Sequence, residues 1–163
     1  MKCDCGQCNA CFKFSIIRRA QAQLRNKKIK KGSKIFIENQ NSLNGKIALK
    51  LLKSILKNLP LEFVSTKENA NYIINPSSLD DELAIKLENV FAMKNINFNN
   101  DNEIKTIKPL IEISNKELIK FARMEKIRGK INTKKSIIKA LDSIENKKAG
   151  VKRALIRSIN DLF

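Results

Sequence analysis

Apolar residues recur at helical spacing from the start of FKFSIIRRAQAQLRNKK. Phe12, Ile16, Ile17, Ala20 and Leu24 share a stripe that leaves the arginines largely outside it, predicting a helix over 12–28. Gly32 and Ser33 mark a turn, and KIFIE (34–38) reads as a short buried strand. NQNSLNG is a polar, turn-forming loop, and KIALKLLKSILKNL (46–59) is a strongly apolar helix stopped by Pro60. Its stripe Leu49, Leu52, Ile55 and Leu56 reads as core or as part of a pairing surface with a homologous subunit. Strands are expected at LEFVS (61–65) and NYIIN (71–75). In SSLDDELAIKLENVFAMK, Ser78 is the expected N-cap, and Asp80, Asp81 and Glu82 fall in the first turn. The helix dipole accounts for those acids better than a metal or acid–base pair does. An Asn-rich loop spans 95–103, and IKPLIEI (107–113) reads as extended around Pro109. Ser114 and Glu117 form a capping box ahead of another helix, and two more are expected over 133–146 and 151–162.

Strands alternating with helices predict an α/β fold with a parallel sheet and helical crossovers. There is no internal repeat, and no Gly/Ser linker separating two large domains. The expected organisation is a Cys-rich knuckle plus basic helix over 1–31, then an α/β domain with a helical C-terminal tail over 32–163.

Charge changes this picture. The 163-residue chain carries 33 Lys plus Arg against 16 Asp plus Glu, a net charge of +17. The excess is segregated, because no acidic residue lies between Cys5 and Ile37. That stretch holds Arg18, Arg19, Arg25, Lys27, Lys28, Lys30 and Lys31. A second basic stretch runs from Lys126 to Lys135. In a third, Lys152, Arg153 and Arg157 sit on successive turns of the last helix. A general drift towards lysine accounts for lysines, but less well for an acid-free stretch with three arginines. Such segregation is the footprint of a phosphate-backbone binder. Aromatic residues are only 6% of the chain, which points to backbone or shape contacts over base stacking. No apolar run approaches the ~20 residues needed to span a bilayer, so no membrane association and a cytoplasmic location are expected.

All four cysteines, Cys3, Cys5, Cys8 and Cys11, fall within MKCDCGQCNACF, and histidine is absent. In a reducing compartment such a cluster reads as a metal site. Two knuckles, CxCG and CxxC, supply four thiolates for zinc, the first choice. Cys5, Cys8 and Cys11 also repeat the C-x2-C-x2-C run of an iron–sulfur protein, the alternative. A metal-free reduced tail ranks third, because exposed thiols oxidise. Without histidine the chain lacks mixed Cys/His sites and the commonest general base.

Several stretches together resemble the PP-loop ATP pyrophosphatases that thiolate tRNA. IFIENQNSLNGKIALKLLKSIL holds the place of a strand, an SGGxDS loop and a Leu-rich helix. NPSSLDDELAIKLENVFAMK matches an LDDE segment and its helix through Leu79, Asp80, Asp81, Glu82, Leu87 and Asn89. IKPLIEISNKELIKFA and AGVKRALIRSIND are similar to two later family segments in the same order. The loop motif laid on Asn41, Ser42, Leu43, Asn44, Gly45 and Lys46 is degenerate. Leu43 stands at a glycine position, expected to put a side chain where phosphate oxygens sit, and Gly45 replaces an acid. The sheet region carries no cysteine to take up sulfur.

The resemblance therefore implies a shortened PP-loop domain that binds no ATP. It implies a pseudoenzyme similar to the non-catalytic partner subunit of the archaeal and eukaryotic wobble-uridine 2-thiolation complex. Its expected partners are tRNA and a catalytic thiolase paralogue, in a heterodimer or heterotetramer. A self-sufficient ATP-dependent tRNA sulfur transferase and a stand-alone metal-ribbon nucleic-acid binder are the alternatives.

Overall fold

The computed structural model describes residues 8–25, 27, 29–92, 105–130 and 135–162. Cys3, Cys5, Lys28 and the Asn-rich loop at 95–103 lie outside them. In chain order the elements are α1 (Asn9–Arg25), β1 (Lys34–Ile37), α2 (Leu43–Ile55), β2 (Glu62–Phe63) and β3 (Tyr72–Ile74). There follow α3 (Leu79–Phe91), β4 (Lys105–Ile107), α4 (Asn115–Met124), α5 (Lys135–Lys147) and α6 (Val151–Leu162).

The four strands form one sheet in the order β2-β1-β3-β4, every pair parallel. Ile35 pairs with Tyr72 and Ile37 with Ile74, and Ile74 pairs in turn with Ile107. Because side chains alternate across a strand, these residues share a face. On it they meet Ile16, Ala20 and Leu24 of α1, Ile47, Leu51 and Leu52 of α2, and Leu118 and Phe121 of α4. A second apolar cluster joins α3, α5 and α6 through Leu79, Leu83, Leu141, Ile156 and Ile159.

Most expected elements are present with shifted ends. The first helix runs 9–25, and α1 packs into the same hydrophobic cluster as the sheet. Helix α2 starts at Leu43, three residues before the apolar run suggests, because Ser42 caps it and Leu43 faces the core. IKPLIEI is extended only to Ile107; Pro109 to Glu112 form turns, as proline withdraws a ladder donor. Of the three helix starts capped by Ser, those of α3 and α4 carry full capping boxes, Ser78–Asp81 and Ser114–Glu117.

Candidate functional site

The strand order reverses direction between β1 and β3: the chain steps from β1 to β2 on one side, then returns to β3 on the other. Parallel α/β sheets bind ligands at the carboxyl ends of the strands flanking such a point. A cavity of about 290 Å³ opens there, lined by Glu38, Asn39, Ser42, Asn44, Asn75, Ser77, Asp81 and Lys130.

The loop after β1 turns at Asn39, whose φ is 48°, and closes with the Ser42 N–H donating to the Asn39 carbonyl at 2.8 Å. The backbone turn therefore lies at 38–42, and Leu43 to Lys46 belong to the first turn of α2, so the six motif positions straddle the helix start. One expectation is corrected here, and one gains a reason. Leu43 does not project into the phosphate position: it is buried on the stripe it shares with Ile47 and Leu51. Gly45 is a packing requirement, because a Cβ there would stand 2.4 Å from the Asn39 carbonyl oxygen.

An α-helix N-terminus offers free N–H groups to an anion. In α2 two of them are already taken. The Gly45 N–H donates to Ser42 Oγ at 3.0 Å and the Leu43 N–H to the Lys130 carbonyl at 3.2 Å. Lys130 ends a strap that leaves α4 through Lys126, at φ 55°, where the Ile127 N–H bonds the Ala122 carbonyl at 2.9 Å. The Lys46 ammonium holds the strap by the Arg128 carbonyl at 2.9 Å, and Lys50 pairs with Glu125 at 2.6 Å. The approach is close enough that a Cβ on Gly129 would lie 2.9 Å from the Leu43 Cα. On the opposite wall, Asn44 Nδ2 donates to Asp81 Oδ2 at 3.2 Å, while Asn44 Oδ1 is buried without a partner. Asp81 also accepts the Ser78 N–H at 3.0 Å.

Asp80 faces away from this cleft, only 1% exposed, and accepts the Asn115 N–H at 2.6 Å. It also accepts from Lys152, whose ammonium reaches Asp142 at 2.6 Å. Lys152 is 2% exposed, which removes it from the expected RNA-facing edge. Burial pulls its ammonium pKa down, but bonds to Asp142 and Asp80 outweigh that and hold it above the ordinary lysine value. The signal was present in sequence: Lys152 precedes Ile156 by four residues and Ile159 by seven, on the buried stripe of α6. Arg153 and Arg157 are exposed as expected.

Neighbouring arginines on α1 also separate. Arg19 clamps Glu117 with its two Nη groups at 3.1 and 2.6 Å and donates to the Glu112 carbonyl at 3.0 Å, tying α1 to α4. Burial raises the Glu117 carboxyl pKa, but the bonds from Arg19 and Ser114 prevail and hold it low. Arg18, Arg25, Lys27, Lys30 and Lys31 are exposed. At the head of α1, the Cys11 N–H donates to Cys8 Sγ at 3.4 Å, so two of the four thiols bracket the helix start. Among the described residues no three Cys, His, Asp or Glu side chains gather as a metal site, and no helix is long and apolar enough to cross a membrane.

This architecture, a parallel sheet with a strand-end loop leading into a capped helix, is a PP-loop thiolase-like α/β fold. It is similar to the U34-tRNA thiolase NcsA from Methanococcus maripaludis with its 4Fe-4S cluster, at a TM-score of 0.77 and 14% identity. The match covers 95% of this chain and 80% of the thiolase. No family profile matches the chain, and no curated protein matches its sequence.

Proposed function

We propose that this chain is a non-catalytic, RNA-binding scaffold subunit that supports 2-thiolation of the wobble uridine in tRNA. A catalytic PP-loop thiolase paralogue performs the chemistry, in a heterodimer or heterotetramer with it in the cytoplasm. The likeness to a U34-tRNA thiolase supports the link to tRNA thiolation. The observation that carries the scaffold reading is the occupied N-terminus of α2. Its Leu43 and Gly45 N–H groups are bonded by the chain's own Lys130 carbonyl and Ser42 hydroxyl. Glu38 and Asp81 line the same cavity beside one cation, Lys130, so its lining carries more negative than positive charge and disfavours a polyphosphate. Residues 12–163 contain no cysteine, so the sheet and helices α2 to α6 supply no thiol.

For the N-terminal cysteines, the similar thiolase carries an iron–sulfur cluster, which supports that alternative over zinc. Cys8 and Cys11 fit a thiolate-bound group: they stand three residues apart at a helix start, with an N–H turned onto one sulfur. Cys3, Cys5, Cys8 and Cys11 would hold the group, the first two lying outside the described residues. Its contribution is to anchor the head of α1.

Co-expression with the host's catalytic thiolase homologue, followed by native mass spectrometry, tests the assembly and reads the bound metal. A stable complex is expected, with no ATP binding to the isolated chain by calorimetry. The similar thiolase also favours a second reading, in which the chain is itself an ATP-dependent sulfur transferase. Turnover of ATP to AMP by the isolated chain establishes that reading and removes the first.

A further inference from the structure

We propose that the outward face of α1 is a docking surface for unpaired RNA, with one base stacked on Phe14 and the neighbouring phosphates held by Arg18 and Arg25. The inference rests on the RNA-binding reading above and adds to it the site, the strand state and the recognition chemistry. Phe14 is 63% exposed, although α1 belongs to the main core. At 100° per residue, Phe14, Arg18 and Arg25 lie within about 40° of one another around the helix, turned away from the buried stripe of Ile16, Ala20 and Leu24. The row from Phe14 to Arg25 is about 16 Å long. Beyond it the chain continues with exposed Lys27, Lys30 and Lys31.

Among the described residues, the acids beside α1 are engaged. Glu117 is clamped by Arg19, Glu112 accepts from Gln23 at 3.1 Å, and Glu125 is shared between Lys13 and Lys50. Among the described residues none of Arg18, Arg25, Lys27, Lys30 or Lys31 has an ion-pair partner. A row of unneutralised cations beginning at one bare aromatic ring matches a base over a phosphate chain. The ring takes the base's π-face, and the guanidiniums take phosphates in bidentate pairs. Duplex RNA hides its base faces, so the ring selects unpaired strands. A membrane surface fits poorly, since the apolar stripe of α1 is spent on the core and only one aromatic points outward.

The test measures binding of the full chain to short oligouridylate, to a blunt RNA duplex and to polyglutamate of matched charge, across a salt series. Phe14→Ala is expected to weaken oligouridylate binding roughly 5- to 100-fold, leaving its salt slope intact. Duplex affinity stays within about twofold, and the melting temperature stays at the wild-type value because the ring contributes little buried area. Arg18→Gln and Arg25→Gln each reduce the salt slope by about 0.7. If Phe14→Ala is silent while the arginine variants weaken binding, stacking is overturned and the RNA reading stands. If all three are silent, this face is not the RNA surface. Polyglutamate binding as tightly as oligouridylate also overturns the assignment, since charge alone then explains it.

Discussion

Lys152→Met removes a charge from the interior and keeps most of the side chain's volume. In the native protein the ammonium lies against Asp80 and Asp142, and Lys152 and Asp80 are 2% and 1% exposed. After the substitution Asp80 keeps the Asn115 N–H as a partner but loses its counter-charge. Stranding one member of a buried pair costs about 3–5 kcal/mol. Total stability for a domain of this size is on the order of 10 kcal/mol, so the variant folds but melts roughly 10 °C lower. Urea denaturation at pH 7 reads the loss directly.

Two further measurements separate the charge pairing from a packing defect. First, the double variant Asp80→Asn/Lys152→Met is expected to be more stable than Lys152→Met alone, since no carboxylate is left stranded. Second, the gap between wild type and Lys152→Met depends on pH. Burial raises the Asp142 pKa, but the bond and charge of Lys152 dominate and hold it below the ordinary value. A depressed carboxyl contributes stability above its unfolded pKa and loses it as pH falls through the folded one. The wild-type advantage therefore narrows below about pH 4. A loss under about 1 kcal/mol at pH 7, set against the expected range for breaking a buried pair, refutes the reasoning. So does a double variant weaker than the single.

Arg18 and Arg19 are expected to divide by role. Arg19→Ala breaks the clamp on Glu117 and lowers stability by about 1–2 kcal/mol in urea titrations, while Arg18→Ala leaves stability unchanged and weakens RNA binding. Gly45→Ala forces a Cβ against the Asn39 and Gln40 backbone and is expected to cost about 2–3 kcal/mol. Gly32→Ala, at φ +74° with open space around it, costs about 1 kcal/mol from backbone strain alone, and thermal melts distinguish the two. Glu125 is held low by bonds from Lys13 and Lys50, and Glu145 by the backbone N–H of Lys152, so both pairings lose their contribution as acid protonates the carboxylates. An acid titration followed by circular dichroism should show cooperative loss of helix below about pH 4.

Much of the fold is local chemistry and is legible in the chain. Alternating Ile35 and Ile37 make a strand, the 3.6-residue stripe of Ile16, Ala20 and Leu24 makes α1, and Ser114 with Glu117 starts α4. Two misplacements were also readable: Leu43 lies four residues before Ile47, and Lys152 four before Ile156, each on a buried stripe. A charged or loop-like residue on such a stripe outweighs neither the period nor the partner that makes it tolerable.

The partners themselves were not in the local pattern. Lys152 is neutralised by Asp80 from α3, 72 residues earlier, and Arg19 is claimed by Glu117, 98 residues later. The strap that reaches Leu43 from Lys130 depends on how α4 ends against α2. By itself the sequence determined which segments fold as helices and strands, and where the positive charge is concentrated. The tertiary structure decided which cations are spent inside, which face solvent, and that two of the first N–H groups of α2 are already bonded. Periodicity and capping act within a turn or two of chain, whereas charge pairing and backbone occupancy depend on which distant elements meet.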